Sequence, residues 1–276
     1  MKELNVKVWQ LRQNILDIVM AGSCGHIGGD MSVIDLLAVL YSRMNISPEQ
    51  LDDPNRDRFV LSKGHCVEAL YAVLADRGFL KLEDILKTYS KFGSEYIGHP
   101  HNTLPGIEMC SGSLGHGLSV SVGMALAGKR DGRPYRVYTV MGDGELAEGS
   151  VWEAAMAASQ YHLDNLCAAV DRNRLQISGG TEEVMHQDSV AERFTSFGWN
   201  VIDVPDGNCI AQLERALDEA EQCKGQPTLI LANTVKGCGS PVMENKAAWH
   251  HHVPTQEEYQ LICESFRTRM EEAKHE

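Results

Sequence analysis

Arg136-Val-Tyr-Thr-Val-Met-Gly-Asp-Gly144 and, after a short interval, Leu166-Cys-Ala-Ala-Val-Asp-Arg-Asn173 carry the clearest architectural signal in the chain. Each opens with an apolar run of strand length and stops at polar or glycine residues. A short apolar run bounded by turn signals reads as a buried strand. Between them, Val151 to Tyr161 is alanine-rich and reads as a helix. Strand, helix, strand is a βαβ unit, so the two strands are expected to be parallel neighbours. Ligands of such sheets sit outside the carboxyl ends of the strands. Asp143 and Asn173 are therefore expected side by side at that edge.

Working outward, the pattern repeats. Leu4, Val8, Leu11, Ile15 and Ile18 recur at helical spacing. The glycine-rich stretch Gly22 to Asp30 reads as too flexible for regular helix, and a second helix is expected from Ser32 to Met44. Arg58 to Ser62 reads as a strand running into Lys63-Gly64-His65. Val67 to Arg77 is a helix closed by Gly78. Ser90 to Gly117 is a long loop of glycine, proline, serine and histidine, and a loop that long in a compact domain is usually functional. Small residues dominate an expected helix from Leu118 to Lys129. Further helices are expected at Val190 to Phe197 and Cys209 to Cys223, and strands at Trp199 to Val204 and Thr228 to Val235. Thr255-x-x-Glu258 opens a last, acidic helix with a capping box. The expectation is an α/β fold: a doubly wound, mainly parallel sheet with helices on both faces, in one domain over residues 1–276.

The totals narrow the function. A net charge of −13 disfavours nucleic acid as a partner, which needs a basic face, but a phosphorylated small molecule remains compatible. Eight cysteines lie singly with no CxxC pair, as expected of free thiols in a reducing cytoplasm. The charged N-terminus lacks a signal-peptide pattern, and no run approaches the roughly 18 apolar residues that span a bilayer. A cytoplasmic protein with no membrane attachment is expected.

Three motif readings fail on their context. Gly123-x-x-x-x-Gly128-Lys129 imitates a phosphate loop but follows no strand and is succeeded by Arg130. No GxGxxG follows a strand, so the nicotinamide fingerprint is missing. His99, His101 and His250 to His252 lack the spacing of a structural zinc site. His162, His186 and His275 read as surface residues.

The chemistry concentrates at the strand ends. Mg²⁺ prefers an octahedron of oxygens, commonly one or two carboxylates completed by phosphate and water. An aspartate flanked by Gly142 and Gly144, with Asn173 on the adjoining strand end, offers such oxygens beside backbone that a diphosphate can approach closely. This Gly-Asp-Gly…Asn arrangement resembles the metal-diphosphate motif of thiamine-diphosphate enzymes. The likeness to the transketolase family extends further. Gly25-His26-Ile27-Gly28, Leu61-Ser-Lys-Gly-His65, Gly98-His99-Pro100, Ser111-Gly-Ser-Leu-Gly-His-Gly117, Lys236-Gly-Cys-Gly-Ser240 and Trp249-His250 resemble family segments in the family's order, from about residue 20 to 255.

The resemblance implies a thiamine-diphosphate-binding fold of the diphosphate-binding type. It also implies transfer of a two-carbon ketol group from a ketose phosphate to an aldose phosphate. By the same likeness, Asp143, Asn173 and the carbonyl of Leu175 hold Mg²⁺, with Ca²⁺ or Mn²⁺ as alternatives. His65 and His250 contact the diphosphate, and Gly112, Leu114 and Gly144 offer backbone groups to the cofactor. His26 and His99 line the sugar channel, and Glu148 lies at a subunit interface linking two cofactor sites. The chain departs from the family at Ile27 for proline and His116 for glutamine. His250, His251 and His252 leave the register of the last histidine open, Trp249 favouring His250.

Family members also need a pyrimidine-binding domain that supplies a glutamate. None follows here before Glu276. A separate pyrimidine-domain subunit in an α₂β₂ assembly is therefore expected, with activity only in its presence. The alternatives are the α subunit of a 2-oxo acid dehydrogenase, a pyruvate-based synthase of the deoxyxylulose phosphate type, and a non-catalytic module of the same fold. The Gly-His-x-Gly and Leu-Ser-Lys-Gly-His segments, suited to a polyhydroxylated substrate, favour the transketolase reading over the dehydrogenase.

Overall fold

The structure, a computed structural model, describes residues 2–275. In chain order the larger elements are α1 (Lys2–Gly22), α2 (Ile27–Arg43), β1 (Arg58–Leu61), α3 (Val67–Asp76), α4 (Leu82–Thr88), α5 (Gly117–Arg130), β2 (Val137–Gly142), α6 (Gly149–Gln160) and β3 (Leu166–Arg172). A two-residue hairpin follows, β4 (Leu175–Gln176) with β5 (Gly179–Gly180). Then come α7 (Thr181–Val184), α8 (Val190–Ser196), β6 (Asn200–Val204), α9 (Ile210–Gln222), β7 (Thr228–Asn233) and α10 (Gln256–Ala273).

Five strands form one sheet in the order β1-β2-β3-β7-β6, all parallel. Alternate residues serve opposite faces. Tyr138, Val140, Cys167, Ala169, Ile230 and Ala232 join the core beneath α1, α2, α3 and α9. Val137, Met141, Leu166, Ala168, Val170, Leu229 and Leu231 join the core beneath α5, α6 and α8. A strand buried on both faces reads as a continuous apolar run, which is why these segments show no alternation. The expected doubly wound sheet is the one observed, and β2 and β3 are neighbours, with Gly142 opposite Asp171.

Local details differ from expectation in several places, the β4–β5 hairpin and α7 being unanticipated short elements. The glycine-rich stretch is not all loop, because α2 begins at Ile27 and includes Gly28 and Gly29. A glycine in a helix costs about 1 kcal/mol against alanine. Here it permits a close approach: a Cβ on Gly28 would lie 2.5 Å from the Trp249 carbonyl oxygen. Helix α4 was not anticipated, its seven residues being too few for a periodic signal. The loop from 89 to 116 is irregular as expected, and both halves of the Thr255–Glu258 capping box are formed.

A buried ion pair ties the segments that carry the site. The Arg12 guanidinium donates to both Asp35 oxygens, at 3.0 and 2.6 Å, and to the Cys238 carbonyl at 3.2 Å. It thus fixes the turn holding Lys236 against α1 and α2.

Candidate active site

The carboxyl ends of β1, β2, β3 and β7 meet at a cavity of about 410 Å³. Every residue assigned from the sequence to metal, cofactor or sugar lines it except Glu148. Glu148 stands exposed at the start of α6, against Gly115. His116 is exposed and contacts the carbonyls of Ser113 and Leu114.

Four histidines crowd one wall. The His26 ring lies 5.2 Å from His65, 6.1 Å from His99 and 5.4 Å from His250, centroid to centroid. His65 and His250 stack at 5.5 Å. Burial, followed by neighbouring positive and imidazole groups, lowers His26 to about 4 and His250 to about 3. His65 falls well below its ordinary value for the same reasons, and His99 falls through burial. All four rings are neutral near pH 7 and offer uncharged donors and acceptors, the kind that suit sugar hydroxyls. His252 turns away to Glu258 at 3.1 Å, whereas His250 lines the cavity. His251 is exposed, although its ring approaches His26 at 4.7 Å.

Asp143 also lines the cavity. Its carboxylate accepts from the Gly144 and Arg174 amides at 2.9 and 2.6 Å. Burial, then the charge of Asp171, raises it to about 6. The Asn173 carboxamide is oriented by its NH₂, 3.3 Å from Ser32 Oγ and 3.4 Å from Asp171 Oδ2. Its Oδ1 accepts from the Leu175 amide at 3.1 Å.

Beneath these groups lies a network that motif spacing does not reveal. Asp171 is fully buried and pairs with the Lys63 ammonium, and it also accepts from the Ser32 and Thr234 hydroxyls. Burial alone would raise Asp171, but Lys63 outweighs it and holds the carboxyl low. Glu145 receives the Ser62 hydroxyl and the amides of Gly115 and Gly142, fastening three loops together. Lys236 is buried, 3.2 Å from His250 Nδ1 and 3.3 Å from the Leu175 carbonyl. Lys63 and Lys236 lie inside family-like segments, yet only their burial and contacts mark them out. Gln187, which donates to the Asp143 carbonyl at 2.9 Å, had no sequence signal.

Residues 5–269 match the family "Transketolase, thiamine diphosphate binding domain". The chain belongs to the transketolase family. It is 47% identical over 266 residues to an apulose-4-phosphate transketolase subunit of Phocaeicola vulgatus, covering 96% of this chain and 94% of that one. It is 41% identical over 249 residues to the 6-deoxy-6-sulfo-D-fructose transketolase subunit SqwG of a Clostridium species, covering 90% of each. The structure superimposes on a Pichia stipitis transketolase with TM-score 0.90 at 29% identity, covering 99% of this chain but 44% of that one. The chain therefore spans nearly the whole of the subunit relatives and less than half of the longer transketolase. Its chemistry as a transketolase subunit is thiamine-diphosphate-dependent ketol transfer, and the dehydrogenase and non-catalytic readings are not favoured.

The residues of this transketolase cavity fit a diphosphate and a hard cation. Lys236 is a buried ammonium with no carboxylate partner among the described residues, an environment that calls for an anion. Asp143 is a buried carboxylate with no cationic side chain bonded to it among the described residues, an environment that calls for a cation. No group of three His, Cys, Asp or Glu side chains is gathered for a metal among the described residues. A carboxylate, a carboxamide and a carbonyl form a different set, suited to a cation that also binds phosphate oxygens and water.

Proposed function

We propose that this chain is the diphosphate-binding subunit of a split transketolase, forming a single such domain over residues 1–276. It acts with a separate pyrimidine-domain subunit in an α₂β₂ assembly. The observation that carries this reading is one of length. Relatives named as subunits of an apulose-4-phosphate transketolase, from Phocaeicola vulgatus and Actinobacillus succinogenes, are covered to 94% and 96% of their own lengths.

In this reading Asp143, Asn173 and the Leu175 carbonyl hold Mg²⁺, with Ca²⁺ or Mn²⁺ able to replace it. Lys236, His65 and His250 neutralise and bind the diphosphate, and the backbone of Gly112, Leu114 and Gly144 orients the cofactor. Bound there, thiamine diphosphate supplies a nucleophilic carbon and an electron sink for breaking the ketose carbon–carbon bond. His26 and His99 hold the donor's hydroxyls. An ammonium can only donate, so Lys236 leaves His250 Nδ1 as an acceptor and places its proton on Nε2. Glu148, exposed beside the loop that carries Leu114, meets the partner chain.

The substrates are a ketose phosphate donor and an aldose phosphate acceptor. Identity favours a donor of the apulose 4-phosphate kind at 47%, but a second relative so named and the sulfofructose subunit stand level at 41%. The anionic end of the sugar is accordingly read mainly by residues of the partner. None of the described helices is long and apolar enough to cross a membrane. All eight cysteines are free, which supports a place in the reducing cytoplasm.

The test is calorimetric titration of thiamine diphosphate with Mg²⁺ into the chain alone and mixed with the partner subunit, beside Asp143→Ala. Metal-dependent binding that Asp143→Ala abolishes, together with ketol transfer only in the mixture, supports the proposal. Absence of binding in both samples refutes it.

A further inference from the structure

Two carboxyl side chains outside the cavity are buried against each other. Asp30 in the first turn of α2 and Glu68 in the first turn of α3 each have no exposed surface. Their oxygens divide cleanly. Asp30 Oδ1 accepts from the Ala69 amide at 3.0 Å, and Glu68 Oε1 accepts from the Tyr89 hydroxyl. Among the described residues, Asp30 Oδ2 and Glu68 Oε2 have no hydrogen-bond donor of good geometry, and each faces the other carboxyl. Two buried oxygens of this kind cannot both stay charged and unpaired at close quarters, so one proton must serve them both. The Glu68 carboxyl also underlies the loop ahead of α2. A Cβ on Gly25 would lie 2.6 Å from Oε1, and the His26 backbone N–H faces the same carboxyl.

We propose that Asp30 and Glu68 form a proton-sharing carboxyl pair that positions His26 at the cavity wall. The same helix steadies the other sugar-facing histidine, because the Tyr71 hydroxyl donates to the Ile97 carbonyl at 3.0 Å, two residues before His99. The pair is a positioning device, and its catalytic consequence rests on the role assigned above to His26.

The surrounding groups leave the pair to titrate by itself. Lys63 faces it from the end of β1, Cys66 from the start of α3, Tyr89 from the end of α4 and His26 from the loop before α2, with Cys24 of that loop near Tyr89. Lys63, Cys66 and Tyr89 are all raised, and His26 is lowered to about 4. Burial raises Glu68 to about 7 and takes Asp30 well above its ordinary value. A raised carboxyl pKa means that the folded state keeps protons the unfolded chain has lost. Stability contributed by the pair is therefore greatest at low pH and falls as pH rises from about 4.5 through about 7.

Glu68→Gln puts an NH₂ where the shared proton sits and keeps an acceptor for Tyr89 and His26. Melting temperature is measured from pH 5 to 8 for the wild type, Glu68→Gln and Glu68→Leu, and donor KM, kcat and thiamine diphosphate affinity are measured with the partner subunit present. Asp143 titrates in part of the same range, so the decisive quantity is the difference between wild type and Glu68→Gln at saturating cofactor and Mg²⁺. The expected result is a shallower pH dependence of melting in Glu68→Gln, with donor KM near wild type. Glu68→Leu, which removes a charge-assisted acceptor, raises donor KM about ten-fold with cofactor affinity unchanged. The same pH dependence in Glu68→Gln as in wild type overturns the pair. A wild type that binds no cofactor under any condition instead overturns the functional reading, leaving the melting result to stand.

Discussion

The Lys236 ammonium lies 3.2 Å from Nδ1 of His250, and this contact determines which nitrogen of the imidazole carries the proton. Lys236→Met removes both the donor and a buried positive charge. His250 is held at about 3 by burial first and Lys236 next, so it is expected to titrate higher in the variant, as read by NMR of the ring. Affinity for thiamine diphosphate with Mg²⁺ should fall roughly ten- to hundred-fold by calorimetry, the loss of a charge-assisted contact. An unchanged affinity would place the diphosphate elsewhere.

Asp143 links metal binding to stability. Its carboxyl is raised to about 6, so the folded, metal-free chain retains a proton that the unfolded chain releases near pH 4. Stability of the metal-free chain is expected to fall by up to about 3 kcal/mol as pH rises through that window. Asp143→Asn should remove its share of the slope. Mg²⁺ with thiamine diphosphate should reverse the slope in wild type alone, because a cation stabilises the charged form. Urea titrations at several pH values decide the matter, and a slope insensitive to both changes would refute the assignment.

The Lys63–Asp171 pair is buried on both sides, with side-chain exposures of 2% and 0%. Asp171→Ala leaves an ammonium buried without its partner and should cost about 3–5 kcal/mol in urea denaturation. The double variant Lys63→Met/Asp171→Leu should be less destabilised than Asp171→Ala, since no charge is stranded. A loss below about 1 kcal/mol in the single variant would contradict this account.

Gly112 has a φ of +139°, and a Cβ there would sit 2.5 Å from His99 Cδ2. Gly112→Ala is expected to cost about 1–3 kcal/mol of backbone strain and to push His99 from its place. Thermal melting checks the first consequence. A raised donor KM in the assembled enzyme checks the second, and an unaltered KM would separate His99 from the sugar.

Much of the site was legible because its residues sit where strands end. Asp143 and Asn173 follow apolar runs joined by one helix, and local periodicity suffices to place such positions at one edge. The histidines required the transketolase likeness, since a lone histidine beside glycine has no period to read. Glu145, Gln187 and the Asp30–Glu68 pair gave no signal. Each acts through a partner far along the chain, and their residue types also occur on ordinary solvated faces.

Short-range patterning was enough for the parallel sheet, the order of its main strands and helices, and the strand ends that bear chemistry. Apolar runs of strand length, helical spacing and glycine punctuation are all local features of the amino-acid chain. Three matters needed the folded molecule: that Gly28 and Gly29 belong to a helix, that His250 rather than His252 enters the cavity, and that Lys63 belongs to Asp171 while Lys236 meets no carboxylate among the described residues. All three depend on packing. Whether a glycine is loop or helix depends on what must approach it, and whether a buried charge is paired depends on which distant segment the fold sets against it.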